Sequence, residues 1–341
     1  MICLLELEML LWMGENVIKE NYEMIIPMKC SDYKECGTYL LFMGFRKRLL
    51  PEDCLFAFQK INGVRTINEL IKVGCKLDAI EELYHKNIII FKRVRKEINA
   101  KLEKVLMVSP HMDDIALSAS GYMSRFCYEK EFDLLVIFGR QDYTLYQKFV
   151  NGQKYLLEEE KTFWRYMDIR KGDILHFQDA PLRECYDIKT AIGSSLSASE
   201  IILKEKNLYL EIQQMIDLAL GKEEYRMVIL PMGIGNHVDH ILVREAGINC
   251  CIKNKVDALF FQDFPYVLSY PNDVGWVDKE GIQYSEERVN ISKYIAIKRD
   301  AIKIYRSQLF DKQIEKIVNY ALYDGQYYEY YVKGTVTERN V

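Results

Sequence analysis

Lys104-Val105-Leu106-Met107-Val108-Ser109-Pro110-His111-Met112-Asp113-Asp114-Ile115 is the stretch that decides how this chain reads. Its first half is a short apolar run of the kind that forms a buried strand. Its second half puts one imidazole and two adjacent carboxylates at the end of that strand. Three such groups within four residues can bind a divalent metal and leave one carboxylate to move protons. Far downstream, Gly233-Ile234-Gly235-Asn236-His237-Val238-Asp239-His240 brings a second imidazole pair. It too comes after an apolar run, Met227 to Pro231. The two segments together point to a hydrolytic metal site.

Working outward, apolar strands alternate with amphipathic segments after residue 104. The strand candidates are Val105–Val108, Leu134–Phe138, Ile174–Phe177, Met227–Pro231 and Ala258–Phe261. The helix candidates are Ala116–Cys127, Leu156–Met167, Leu208–Leu220 and His237–Ile252. This alternation predicts an α/β domain, a mostly parallel sheet with helices on both faces. Sites in such folds collect beyond the carboxyl ends of the strands, where both motifs lie. Neither junction carries the glycine spacing of a phosphate loop.

Before residue 100 the pattern differs. Short β-like runs at 23–28 and 39–45 precede helical stretches at 53–61 and 77–85, then Asn87 to Phe91. Lys92 to Lys104 is charge-rich and reads as a solvated linker or exposed helix. The expected division is a small α+β domain, 1–100, and then the α/β domain, 101–341.

The donor types set the chemistry. A catalytic zinc takes three protein ligands and keeps one open position. His111, Asp114 and His240 supply a His-Asp-His set, with iron(II) an alternative occupant. Asp113 beside them is the candidate general base for a water made acidic by the metal. His237, one turn before His240, is placed to stabilise an oxyanion as imidazolium and to protonate the leaving amine. Asp239 is placed to orient a ligand imidazole. Blander readings exist. Either aspartate could cap a helix starting near Ile115, and His237 and His240 could be surface residues. Of only five histidines, however, three fall in the two motifs, which favours the metal site. His85 and His176 stand apart and read as structural or surface residues.

These residues closely resemble the LmbE-like (PIG-L) N-deacetylase superfamily, whose motifs are Pro-His-x-Asp-Asp and His-x-x-His. Asp179-Ala180-Pro181-Leu182-Arg183, Phe261-Gln262-Asp263-Phe264-Pro265-Tyr266, and Lys298 with Tyr305, Ser307 and Gln308 resemble its later segments. The similarity covers about residues 104 to 320. It implies a Rossmann-like fold and a zinc amidase that removes acetyl from N-acetylated amino sugars. His111, Asp114 and His240 would hold the metal, Asp113 would be the base, and His237 the electrostatic partner. Three positions depart from the pattern. Ile115 and Gln262 stand where members have Glu, and Leu156 or Leu157 where a basic residue precedes Glu159-Glu160. The last two departures fall at positions expected to face substrate. The stretches Asn62 to Leu70 and Glu81 to Ile90 resemble a PqqD-like winged-helix module, whose relatives bind leader peptides by strand addition.

Location adds Arg140, Asp142, Asp179 and Arg183, which lie just past strand ends, as candidate substrate contacts. Arg183 could grip a carboxylate or phosphate, or simply pair with Asp179. The tyrosine-rich run Tyr327 to Tyr331 reads as an edge strand.

A net charge of −4 gives no general attraction to nucleic acid or anionic membrane. No apolar run reaches the length of a bilayer span. The start, Met1 to Met13, is apolar but lacks the charge order of a signal peptide. Nine cysteines without Cys-x-x-Cys spacing read as reduced thiols in a cytoplasmic protein. The expected partner is a small molecule or conjugate bearing an N-acyl group, with oligomerisation compatible. One alternative is hydrolysis of an amide on a ribosomally made peptide captured by residues 1–100. The other is a non-catalytic, metal-stabilised binding protein.

Overall fold

A computed structural model of the chain describes residues 25–30, 33–43, 46–94, 101–145, 151–183, 186, 188–270 and 281–337. The chain divides into two compact units, residues 1–99 and 100–341. The apolar start Met1–Met13, Cys185, and residues 95–100 of the charged stretch lie outside the described residues.

In the first unit, β1 (Ile25–Lys29), β2 (Tyr33–Cys36), β3 (Tyr39–Phe42), β4 (Arg46–Leu49) and β5 (Ile89–Arg93) form two antiparallel sheets, β1 with β5 and β2-β3-β4. Helices Glu52–Lys60, Ile67–Lys72 and Leu77–His85 fill the interval. The short helix Ile67–Lys72 was not expected, yet its start is specified locally. Thr66 accepts the Glu69 amide, and the Glu69 carboxylate accepts the Thr66 amide at 2.8 Å, which satisfies two orphan donors at once. Leu40, Ile67, Leu70, Ile80 and Leu83 are fully buried beneath these elements.

The second unit carries β6 (Glu103–Ser109), β7 (Lys130–Val136), β8 (Lys171–Ile174), β9 (Met227–Pro231), β10 (Asp257–Phe261), β11 (Ile282–Asn290), β12 (Leu322–Tyr323) and β13 (Gln326–Val336). They form one sheet in the order β11-β13-β10-β9-β6-β7-β8, with β12 paired to β13. From β10 to β8 the pairing is parallel, and β13 is antiparallel to both neighbours. Strands covered by helices on both sides have to be apolar throughout. Val105, Leu106, Met107 and Val108 in β6 are at most 2% exposed. Helices Asp114–Phe126, Gly152–Met167, Lys206–Lys222 and Val238–Asn254 supply the cover.

The strand order positions the site. The chain leaves β6 towards β7 and β8, then returns to β9 on the other side of β6. Loops after β6 and β9 therefore diverge and open a crevice at their carboxyl ends. His111 lies two residues beyond β6 and His237 six beyond β9.

Two expectations are corrected by this topology. The run Tyr327–Tyr331 is not an edge. It lies at the start of β13, which pairs with β11 through Tyr328–Tyr331 and reaches β10 from Tyr331 onward, so the outer strand is β11. Tyr327, Glu329 and Tyr331 are buried on one face, while Tyr328 and Tyr330 flank the Arg288 guanidinium on the other. The charged stretch is not one linker either. Lys92 and Arg93 end β5, and Glu103 and Lys104 begin β6.

One buried ion pair ties the carboxyl-terminal elements to the helix that starts at Asp114. Lys298, from the helix Ile295–Lys303, pairs with Glu329 and donates to the Leu117 carbonyl at 2.9 Å. Glu329 accepts the Gly121 amide at 3.0 Å, the Tyr122 amide at 2.6 Å and the Tyr331 hydroxyl at 2.7 Å. A carboxylate approaches the middle of a helix this closely only where no side chain intervenes. A Cβ on Gly121 would lie 2.6 Å from Glu329 Oε1.

Candidate metal centre

His111, Asp114 and His240 converge in the crevice. His111 Nδ1 lies 3.3 Å from Asp114 Oδ2 and 3.3 Å from His240 Nε2, and His240 Nε2 lies 3.4 Å from Asp114 Oδ2. A tetrahedral ion bonded to nitrogen and oxygen at about 2.0–2.1 Å needs donor atoms about 3.3–3.4 Å apart. The triangle has that size.

The outward nitrogens of both rings are held by carboxylates. His240 Nδ1 meets Asp263 Oδ1 at 2.5 Å, and His111 Nε2 meets Asp239 Oδ2 at 3.2 Å and Asp179 Oδ1 at 3.3 Å. A neutral imidazole whose outer nitrogen donates to a carboxylate turns its lone pair inward. With both rings neutral, three lone pairs would face one another, an arrangement that added positive charge relieves. The donor set therefore fits a divalent metal.

Local structure explains how the side chains get there. Asp113 occupies the position before the helix Asp114–Phe126 but makes no capping hydrogen bond, and Asp114 turns back to accept the His111 amide at 2.8 Å. Neither aspartate is a mere cap. His237 caps the helix Val238–Asn254, with Nδ1 accepting the Asp239 amide at 3.2 Å. Its ring centroid lies 5.0 Å from those of His111 and His240.

Charge is finely divided among these groups. Burial opposes protonation of His111, but Asp179, Asp114 and Asp239 raise its pKa well above the ordinary value. Burial opposes it at His240 too, but Asp114 and Asp263 raise that value. Burial disfavours the Asp114 carboxylate, yet His240 and His111 hold its pKa below the usual range. Burial and the neighbouring Asp114 push Asp113 up to about 7. Burial, with His240 and His111 nearby, holds His237 well below its ordinary value. Burial and the two neighbouring rings thus disfavour the imidazolium form of His237 that was expected from sequence.

The remaining expected residues separate. A second group, His111, Asp179, His237 and Asp239, also gathers, but both Asp239 oxygens are spent. Oδ1 takes Arg183 Nη2 at 2.7 Å, and Oδ2 takes the Ala180 amide at 2.9 Å. Arg183 pairs with Asp239 at 2.7 Å and with Glu205 at 2.9 Å, in place of the expected Asp179–Arg183 bridge. The Arg140 side chain is exposed, as are those of Asp142, His85 and His176. Gln262 faces Tyr320, to which it is hydrogen-bonded, and not the cluster. Leu156 and Ile115 are core residues.

The sequence reading missed Asp263 as a partner of His240, and a buried pair formed by Glu160 and Tyr305. Asp263 lies two residues past β10, so the strand-end rule that found His111 also reaches it. Among the described residues the cysteines form no disulfide, and no helix is long and apolar enough to cross a membrane.

Comparison with known proteins agrees with this geometry. Residues 106–251 match the PIG-L family model, GlcNAc-PI de-N-acetylase. A 2'-N-acetylparomamine deacetylase from Streptomyces fradiae is 27% identical over 168 residues, which are 48% of this chain and 57% of that protein. The match thus spans a little over half of that relative's length. Among solved structures, a teicoplanin-biosynthesis deacetylase superimposes with a TM-score of 0.57 at 17% identity, covering 70% of this chain and all of that one. An A40926 pseudoaglycone deacetylase does so with a TM-score of 0.53 at 17% identity, again over 70% of this chain and all of that one. At that identity the likeness is one of fold.

Proposed function

We propose that the chain is a metal-dependent amide hydrolase that removes the acetyl group from an N-acetylated amino sugar or a conjugate of one. The observation that carries this reading is the triangle of His111, Asp114 and His240, with its outer nitrogens backed by carboxylates and Asp113 beside it. A relative supports the substrate class, since it is named a 2'-N-acetylparomamine deacetylase. Among the described residues three ligands converge in this triangle, not four, which argues against a closed structural site.

His111, Asp114 and His240 would hold zinc, or iron(II). Bound there, the ion would polarise the acyl carbonyl and make a water more acidic. The chain's own groups do the rest. Asp113 takes a proton from the attacking water and passes it to the leaving amine. Burial favours the protonated form of this carboxyl, which helps it hold the proton between the two transfers. His237 Nδ1 is an acceptor, so Nε2 carries the hydrogen and donates to the carbonyl oxygen as it gains charge. Arg183 and the Ala180 amide hold Asp239, and Asp239 holds the His111 ring.

The test is acetate release from N-acetylglucosamine and 2'-N-acetylparomamine by the metal-loaded protein and its Asp113→Asn variant. The variant should keep its metal and lose about 10³-fold in kcat, within the range of general acid–base catalysis. Full activity in that variant would remove Asp113 as the base. No release from either sugar by the unaltered protein would remove the substrate class.

A further inference from the structure

We propose that Asn236 is a positioning residue for His237. Its side-chain amide clamps the loop that carries His237 to the excursion of residues 193–205 between β8 and β9. In giving His237 a task, the proposal rests on the amide-hydrolase reading.

The loop 233–236 does not hold its shape by backbone preference. Gly233, Gly235 and Asn236 all have left-handed backbones, with φ of +81°, +77° and +51°. Glycine adopts this region freely, and asparagine does so at some cost. On backbone grounds glycine suits position 236 better, and what asparagine adds is its amide. Asn236 Nδ2 donates to the Ser194 carbonyl and, at 3.0 Å, to the Leu196 carbonyl. The backbone reinforces the tie. The Gly193 amide donates to the Gly235 carbonyl at 2.9 Å, and the Ser194 amide to the Asn236 carbonyl at 3.3 Å. All of these bonds fall on the two residues that immediately precede His237.

A clamp is useful only if its far side is fixed. Within the excursion the Leu196 amide donates to Ser194 Oγ at 3.2 Å. Ser197 and Glu200 then cap the helix Ala198–Lys204 reciprocally, and Ile201 of that helix is fully buried. The helix ends at Glu205, the partner of Arg183, which holds Asp239. One excursion thus braces the site at two places. Glu205 steadies the Arg183–Asp239 pair behind His111, and Asn236 fixes the loop in front of His237. The inner side of that loop is held by Asp263, which accepts the Ile234 amide at 2.9 Å. Its outer side is held by the clamp. His237 is the residue at which loop and helix meet, so a shift of the loop turns its ring away from the oxygen it serves.

Asn236→Gly allows the left-handed backbone and removes only the side chain. Amide hydrogen exchange on the metal-free protein reads the clamp directly. The Gly193 and Ser194 amides should exchange about tenfold faster in the variant, with the helix Val238–Asn254 unaffected. Unchanged exchange at both would show that Asn236 clamps nothing. Turnover of N-acetylglucosamine or 2'-N-acetylparomamine by the metal-loaded protein reads the consequence. There kcat should fall about tenfold with KM and bound metal unchanged, as for a small misplacement at the reacting centre. A kcat within twofold of the unaltered protein, or a change confined to KM, would overturn the proposal. In a His237→Ala background the same substitution should change kcat less than about twofold, because the group it positions is gone. A full tenfold loss there would mean that Asn236 does not act through His237. If the unaltered protein releases no acetate while exchange responds as expected, the hydrolase reading fails and takes the positioning role with it, but the clamp stands.

Discussion

Asp263→Asn is the substitution whose outcome the geometry dictates most directly. The carboxylate serves two donors at once, His240 Nδ1 at 2.5 Å and the Ile234 amide at 2.9 Å. Asparagine offers one acceptor and one donor in the same shape. If its oxygen keeps Ile234, its NH₂ faces His240 Nδ1, and the ring's hydrogen moves to Nε2. That hydrogen then occupies the triangle with His111 Nδ1 and Asp114 Oδ2, 3.3 and 3.4 Å away. If its oxygen keeps His240, two donors face each other at Ile234, and a buried amide is left unsatisfied at a cost of about 1–3 kcal/mol. The metal-binding state can form only through the second orientation and bears that penalty. The corresponding loss is roughly 10–100-fold in metal affinity, the range seen when a ligand histidine loses its supporting carboxylate. Competition for zinc against a chromophoric chelator measures it, with far-UV circular dichroism as the control for folding. Unchanged affinity, within twofold, would refute the account of how the His240 tautomer is set.

Two further outcomes concern stability. Burial pushes the Glu160 carboxyl up to about 8, so the folded chain keeps a proton that the unfolded chain releases near its ordinary value of 4.5. The stability this contributes is complete below about pH 4.5 and is lost as pH rises towards 8. Tm of the unaltered protein should therefore fall more between pH 5 and 8 than that of Glu160→Gln, and parallel curves would contradict the assignment. Gly121→Ala should destabilise by about 1–3 kcal/mol in urea unfolding, since the new methyl meets Glu329 and Ile291 at 2.6–2.8 Å. A gain, as helix propensity alone would give, would mean that the carboxylate is not seated against the helix.

Sequence reasoning reached the parallel half of the sheet and the metal ligands for the same physical reason. Parallel strands buried on both faces are continuous apolar runs, and the residues just past the end of such a run lie at the crevice. It failed where the signal is not local. β11 alternates polar and apolar residues and is mostly exposed or half-buried, and so has no apolar run to find. The run Tyr327–Tyr331 looked like an edge because aromatic residues tolerate one, but β11, the strand that covers it, lies some forty residues earlier. Arg183 looked like a substrate contact because it lies just past a strand end, with Asp179 as its nearest partner in sequence. Its partners, Glu205 and Asp239, are 22 and 56 residues away.

The way charge is distributed around the triangle explains why so many carboxylates gather at one crevice. Asp114, Asp179, Asp239 and Asp263 all surround His111 and His240. Three buried carboxylates and a half-buried one, held only by neutral imidazoles, would repel one another strongly in a medium that screens poorly. Arg183 offsets one of them through Asp239. The rest of the balance falls on the two rings, and without a metal both imidazoles are driven towards the protonated form. Protons on those rings add positive charge in the space between Asp114, His111 and His240. A divalent cation supplies positive charge at the same place and leaves each ring neutral, with its outer hydrogen still donated to Asp239 or Asp263. The carboxylates that fix the ring tautomers are also the ones that set how much positive charge the triangle must contain.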